Sequence, residues 1–179
     1  ILTDNLIKTT SKVRRRWSVL EDIRDILRIP GREVMAVTKI LAGVDLEKID
    51  SKQCRDSDII TVMIHTRGFF LANIRCEMNH DMYRQILSGM YGGGMPPEEE
   101  RALYINEYMN VVCGRIVSKI NTLTDSVSKL SVPEYFGEND PDYGRDEQAY
   151  HIMLVYRNGQ GFVRFIIQFE FQQNGGDDV

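Results

Sequence analysis

Two side chains with complementary hydrogen-bonding chemistry stand three residues apart in the stretch Asn106-Glu107-Tyr108-Met109-Asn110-Val111-Val112-Cys113-Gly114. On a helix, Glu107 and Asn110 are surface neighbours. Glu107 offers a carboxylate that accepts charge-assisted hydrogen bonds from a cation. Asn110 offers a carboxamide that both donates and accepts without changing charge. Such a pair can grip and orient polar groups brought from outside the chain, but it supplies no nucleophile and no metal ligand set of its own. Gly114 lies one turn further along the same face, and Ser118 one turn beyond that. A glycine inside a helix costs about 1 kcal/mol relative to alanine, so its place here points to something approaching the backbone closely. E-x-x-N is nevertheless a common chance pattern on surface helices.

No rival catalytic set emerges. The three histidines, His65, His80 and His151, are scattered. His65 and His151 fall in predicted strands and His80 near a helix start, so they read as structural rather than as metal ligands. No G-x-S-x-G context supports a serine hydrolase. Gly92-Gly93-Gly94 lacks the lysine and hydroxyl of a phosphate-binding loop. Asp140, Asp142, Asp146 and Glu147 do not follow the spacing of a calcium loop, and Gly144 is misplaced for one. Cys54, Cys76 and Cys113 are widely spaced, with no C-x-x-C, and read as free thiols of a reducing compartment.

The elements that must hold the pair follow from periodicity. Pro96-Pro97-Glu98-Glu99-Glu100 opens a helix expected to reach about Leu123, with acidic residues where the helix dipole favours them. Ile105, Met109, Val112, Ile116, Ile120 and Leu123 fall within roughly 80° of one another and form its expected core stripe. Glu107, Asn110, Gly114, Ser118 and Asn121 gather on the opposite, polar face. Upstream, Trp17–Arg28 has helical spacing and is expected to end at Pro30-Gly31, with a second helix from about Arg32 to Ala42 closed by Gly43. Asp58–Thr66 and Phe69–Glu77 read as a hairpin turning at Arg67-Gly68. Residues 80–91 read as a helix capped by Asn79, with Met82, Ile86 and Leu87 inward. Ser126–Phe136 looks extended, and 137–148 reads as an acidic loop. Ala149–Arg157 and Phe162–Phe171 form a closing hairpin across Asn158-Gly159-Gln160-Gly161. In its last strand Val163, Phe165, Ile167, Phe169 and Phe171 alternate with Arg164, Gln168 and Glu170, so one face of that strand is expected to be buried and the other largely solvated. The fold class is α+β, an antiparallel sheet with long helices packed on one face.

Composition sets the outer bounds. The chain has 179 residues, 42% hydrophobic and 27% charged, with a net charge of −4. This suits a globular domain with a real core and argues against a nucleic-acid binder. The cluster Lys12-Val13-Arg14-Arg15-Arg16 is too small for a convincing nucleic-acid patch and reads as a solvated helix end. No run reaches the roughly 18 apolar residues of a membrane span, and Lys8, Lys12 and Arg14–Arg16 break up any signal-peptide core. The expected location is cytoplasmic, with no membrane association.

The segment around Glu107 resembles the E-x-x-N-x-x-x-G signature of the CheC/CheX/FliY group of bacterial chemotaxis phosphatases. Glu107, Asn110 and Gly114 match it directly. The hairpin at Gly68, helix 80–91, the glycine-rich gap, the Pro-Glu helix start, Val132-Pro133-x-Tyr-Phe-Gly137 and the closing hairpin follow in the same order. The likeness spans roughly residues 32–171 and is most specific over 97–137. With one motif-bearing helix, and none in 32–42, the chain is more similar to CheX than to CheC. Asn106 and Tyr108 depart from the small and aliphatic residues usual at those positions. The resemblance implies a phosphatase acting on the aspartyl phosphate of a CheY-like receiver domain in chemotaxis or two-component signalling. Asn110 would position the attacking water, and Glu107 would contact the receiver's active-site lysine. Gly114 and Ser118 would line the docking face. It implies no cofactor of the chain's own, since Mg²⁺ would be held by the partner receiver, and it allows a homodimer. The alternative is a non-catalytic receiver-binding or dimerisation module of the same fold. Domain organisation is read as a helical extension over 1–30, the CheX-like domain over 31–173 and a disordered tail over 174–179.

Overall fold

The computed structural model describes residues 23–53, 58–138 and 150–172. The basic cluster at 12–16, Cys54, most of the acidic loop and the tail at 174–179 lie outside the described residues.

Helix α1 spans Ile23–Ala42 without a break. The helix end expected at Pro30-Gly31 does not occur. Proline removes one backbone hydrogen bond, but here Pro30 is buried, and the turn it occupies packs tightly on a later strand. A Cβ at Gly31 would stand 2.9 Å from the hydroxyl of Tyr156. Gly43 then ends the helix in a left-handed conformation, its N–H donating to Lys39 O at 3.0 Å.

After the two-residue strand β1 (Glu47–Lys48) come β2 (Ile59–Gly68) and β3 (Phe70–Asn79), the expected hairpin. Helix α2 (His80–Met90) begins at Asn79, whose side-chain oxygen accepts from the N–H of Met82. That same oxygen accepts from Phe162 N at 2.9 Å, tying the cap to the last strand. Glycines 92–94 form the link to α3, which runs Glu98–Thr124. Strands β4 (Ser128–Leu130), β5 (Glu134–Gly137), β6 (Tyr150–Asn158) and β7 (Gly161–Phe171) complete the chain.

The seven strands form one antiparallel sheet in the order β1-β6-β7-β3-β2-β4, with β5 also pairing β2. Ile60, Val62, Ile64, Ile74, Cys76, Met78, Val163, Phe165 and Ile167 form the helix-facing side and close the core against Val34, Val37, Met82, Ile86, Met109, Val112 and Ile116. The other side of the sheet is partly buried as well. Thr61, Met63, Glu77, Val155 and Phe162 point away from the helices and are nonetheless buried. Charge pairing makes this tolerable for Glu77. Arg164 is its cross-strand partner in register, and both Arg164 and Arg75 form ion pairs with its carboxylate. No helix among the described residues is long and apolar enough to cross a membrane.

The strand order reads the same from both ends once the two halves of the chain are distinguished. The half containing α1, β1, β2 and β3 and the half containing α3, β4/β5, β6 and β7 exchange places about the central β3–β7 pair, where Ile74 faces Ile167. The helices obey the same rotation. When Asp25 is laid on Glu100, the exposed and buried positions of α1 through Gly43 repeat along α3 through Ser118, differing only at Ile26/Arg101, Lys39/Gly114 and Leu41/Ile116. The fold is thus an internal quasi-twofold, with each half lending its edge strand to the other half's hairpin.

Candidate functional site

Helix α3 lies on the sheet beside an antiparallel α1, and its position is fixed by two polar contacts. Arg115 Nε donates to Glu33 Oε2 at 2.7 Å. The Tyr108 hydroxyl lies 2.8 Å from Thr38 Oγ1. Because Thr38 Oγ1 already donates to Val34 O, the tyrosine is the donor in that pair. Burial pushes the Tyr108 hydroxyl well above the ordinary phenol value, which keeps the donor proton in place.

The buried arc of α3 is wider than the stripe read from the sequence. Tyr108, Cys113 and Val117 join Ile105, Met109, Val112, Ile116 and Ile120 in the core, because α1 covers one flank of the helix while the sheet covers its underside. Leu123, expected in the stripe, is exposed. It falls in the last turn, beyond the final core contact at Ile120. Asn121, expected on the free polar face, is turned aside, its amide donating to Ser128 O at 3.0 Å.

What remains open on α3 is narrow. Glu107, Asn110 and Ser118 are exposed and Gly114 is half-buried. No described residue bonds to the side chain of Glu107 or Asn110. Asn106 and Tyr108, the neighbours of Glu107 in sequence, do not share its exposure: Tyr108 is fully buried, and Asn106 is half-buried with its Oδ1 shielded from solvent. Gly114 is not required by packing against any described residue. A Cβ built there would meet only Leu130 Cδ1, at an ordinary 3.8 Å. An arrangement of this kind can hold an incoming cation at Glu107 and a water or phosphoryl oxygen at Asn110. It leaves room for a second molecule to approach the backbone at Gly114.

Among the described residues no group of three His, Cys, Asp or Glu side chains could hold a metal. His65 bonds to Asn73, and His80 lies 3.0 Å from Glu138. Cys76 and Cys113 are buried free thiols whose ionisation is pushed up by that burial, which makes them poor nucleophiles.

Neither a protein-family model nor a curated protein matches the sequence. Solved structures match the fold. The chemotaxis protein CheX of Vibrio vulnificus superposes with a TM-score of 0.68 at 17% identity, over 81% of this chain and 96% of its own. A chain of the CheX–CheY–BeF3–Mg²⁺ complex from Borrelia burgdorferi gives 0.67 at 12% identity, over 80% and 97%. FliY of Thermotoga maritima gives 0.57 at 15% identity, over 90% and 91%.

This chain has the CheC/CheX/FliY fold.

Within that fold the quasi-twofold places Arg32, Met35 and Lys39 of α1 where α3 carries Glu107, Asn110 and Gly114. Arg32, Met35 and Lys39 form no second carboxylate–carboxamide pair, so α1 presents no counterpart of the α3 face. Two surface features of this CheC/CheX fold escape sequence reading. A cleft of about 560 Å³ opens near the start of α3, lined by His80, Arg84, Glu98, Arg101, Tyr135 and Glu138. A second hollow of about 560 Å³ lies beside β4. Neither carries a sequence pattern, because each is assembled from elements distant in the chain.

Proposed function

We propose that this protein is a CheX-like phosphatase that removes the aspartyl phosphate of a receiver domain. The observation that carries the reading is the exposed Glu107-x-x-Asn110 pair, without a side-chain partner among the described residues, on the central helix of a CheC/CheX fold.

The chemistry divides between two proteins. The receiver contributes the phosphorylated aspartate, a lysine and a bound Mg²⁺, which neutralises charge on the phosphoryl oxygens. The phosphatase must then fix a water in line with the scissile P–O bond, and positioning is the dominant need in phosphoryl transfer. Asn110 does this through its carboxamide, accepting from the water and donating to it or to a phosphoryl oxygen without adding charge beside an anion. Glu107, three residues away, accepts from the receiver's lysine and sets the register of the two proteins. Tyr108, fully buried in the core, seats the turn that carries both.

The test is phosphate release from phosphorylated receivers. Asn110→Ala is expected to lower stimulated release by about a hundredfold or more, the scale of losing a positioned reactant, while retaining complex formation. Glu107→Ala is expected to weaken productive docking. Full activity in both variants would remove the assignment. Stoichiometric capture of the phosphorylated receiver without turnover would establish a binding module of the same fold instead.

A further inference from the structure

The cleft near the start of α3 gathers ionisable and hydroxyl side chains from three elements. Helix α2 gives it His80, Tyr83 and Arg84, α3 gives Glu98 and Arg101, and β5 with the residue after it gives Tyr135 and Glu138. At about 560 Å³ it is of the size that takes a small organic molecule. Most of its charges are matched or wet. Arg84 lies 3.5 Å from Asp81 and His80 3.0 Å from Glu138, while Glu98 is exposed. Arg101 is half-buried, and its Nε donates to Pro96 O at 3.2 Å. No described carboxylate forms an ion pair with it, so the terminal N–H groups of its planar fork are not engaged by any described residue.

The quasi-twofold shows that the fold does not ask for this charge. Ile26 stands at the position of Arg101 on α1, where it is 2% exposed and part of the core. One half seals the position with an apolar side chain, and the other opens it into a cleft lined by a guanidinium. That placement is unfavourable by itself. A half-buried cation loses hydration, and the first turns of a helix repel positive charge. Glu98, Glu99 and Glu100 ease the second effect, but all three are exposed and none pairs with Arg101. A bound anion would relieve both. The hydroxyls of Tyr83 and Tyr135 lie 3.4 Å apart, and their single hydrogen bond uses one of two O–H protons and leaves the other to donate. Burial pushes the Tyr83 hydroxyl above its ordinary value, and Arg101 is near enough to oppose that shift, which places the guanidinium beside a second donor.

We propose that this cleft binds a small organic anion, whose carboxylate or phosphoryl group takes the fork of Arg101 and a tyrosine hydroxyl while its body lies against Tyr83, Tyr135 and Met95. A guanidinium fork matches two oxygens of either group. The tyrosine rings favour a body that is flat and apolar. The inference does not depend on the phosphatase reading. At about 100° per residue, Arg101 is turned roughly 120° from Glu107 and roughly 180° from Asn110 around α3, so the cleft is separate from the candidate catalytic face.

The experiment is calorimetric titration of the full chain with benzoate, phenyl phosphate, inorganic phosphate and uncharged benzyl alcohol, comparing the unsubstituted protein with Arg101→Gln, Arg101→Lys, Tyr83→Phe and Asn110→Ala. At least one of the two aromatic anions is expected to bind saturably. Arg101→Gln should weaken that binding by about tenfold or more, the scale of losing hydrogen bonds to a charged group. Arg101→Lys keeps the charge without the fork and should fall between the two, and Tyr83→Phe should weaken binding severalfold. Asn110→Ala should bind as the unsubstituted protein does. A preference for benzoate would assign the cleft to carboxylates and a preference for phenyl phosphate to phosphorylated ligands, and either supports the proposal. Thermal midpoints identify a variant that has lost its fold; if Arg101→Gln is one, Arg101→Lys and Tyr83→Phe carry the test. No saturable binding of either aromatic anion, or full affinity in the Arg101 variants, would overturn the site. So would benzyl alcohol binding as tightly as benzoate, or inorganic phosphate as tightly as phenyl phosphate. Loss of binding in Asn110→Ala would move the anion to the face of Glu107 and also overturn it.

Discussion

Gly114 separates a requirement of folding from a requirement of partnership. No described residue needs it, since an added Cβ would only touch Leu130 at van der Waals distance. Gly114→Ala is therefore expected to stabilise α3 by about 1 kcal/mol, the difference in helix propensity, as a rise in the thermal midpoint. If another molecule approaches the backbone there, the same substitution lowers phosphatase activity. A stability gain with activity fully retained would show that the glycine serves neither. Tyr108 behaves in the opposite way. It lies inside the helix layer, and Tyr108→Phe removes one buried hydrogen bond while Thr38 keeps its bond to Val34. A loss of about 1 kcal/mol is expected in denaturant unfolding, with kcat little changed.

Among the elements, those with one strong periodicity were legible and those shaped by distant neighbours were not. The two hairpins and α2 follow from alternation, turn residues and a capping asparagine, all encoded within about ten residues of one another. The exposure of Glu107 and Asn110 was legible for the same reason, because a helix face is a local property. Helix α1 was misjudged at Pro30, where the decisive partner is Tyr156, far along the chain. The half-burial of Arg164 on the polar face of β7 depends on Glu77, which it meets across the sheet. The β4 hollow was invisible, since Arg67 and Val132 meet only through β2–β4 pairing. Gly89 shows how tightly such distant contacts are drawn. A Cβ there would lie 2.0 Å from the carbonyl oxygen of Ala42 at the end of α1. Gly89→Ala is expected to cost about 1–3 kcal/mol through overpacking, despite its better helix propensity; an unchanged unfolding midpoint would contradict this close crossing.

For the whole molecule, the burial of acidic hydroxyls and thiols sets an alkaline limit. Cys76, Cys113, Tyr83, Tyr108 and Tyr156 all have their ionisation pushed up by removal from water. The folded state therefore holds these protons at a pH where the unfolded chain has released them. Stability they contribute is fully present below the unfolded thiol value near 9.0 and is lost as pH rises beyond it. Calorimetry from pH 7 to 11 is expected to show a thermal midpoint that declines above about pH 9. A midpoint flat across that interval would mean these groups ionise without unfolding.

The exchange of edge strands carries a consequence for severed chains. Strand β1 completes the hairpin of the second half, while β4 and β5 complete that of the first. A polypeptide cut within Gly92–Gly94 yields two pieces, each missing the border it borrows and each with one side of its central strand left bare. Neither piece should be soluble when produced by itself, yet the pair made together should reassemble into a native particle, like two hands that close only around each other. Co-expression followed by size-exclusion chromatography would reveal the reunion as a single peak containing both pieces.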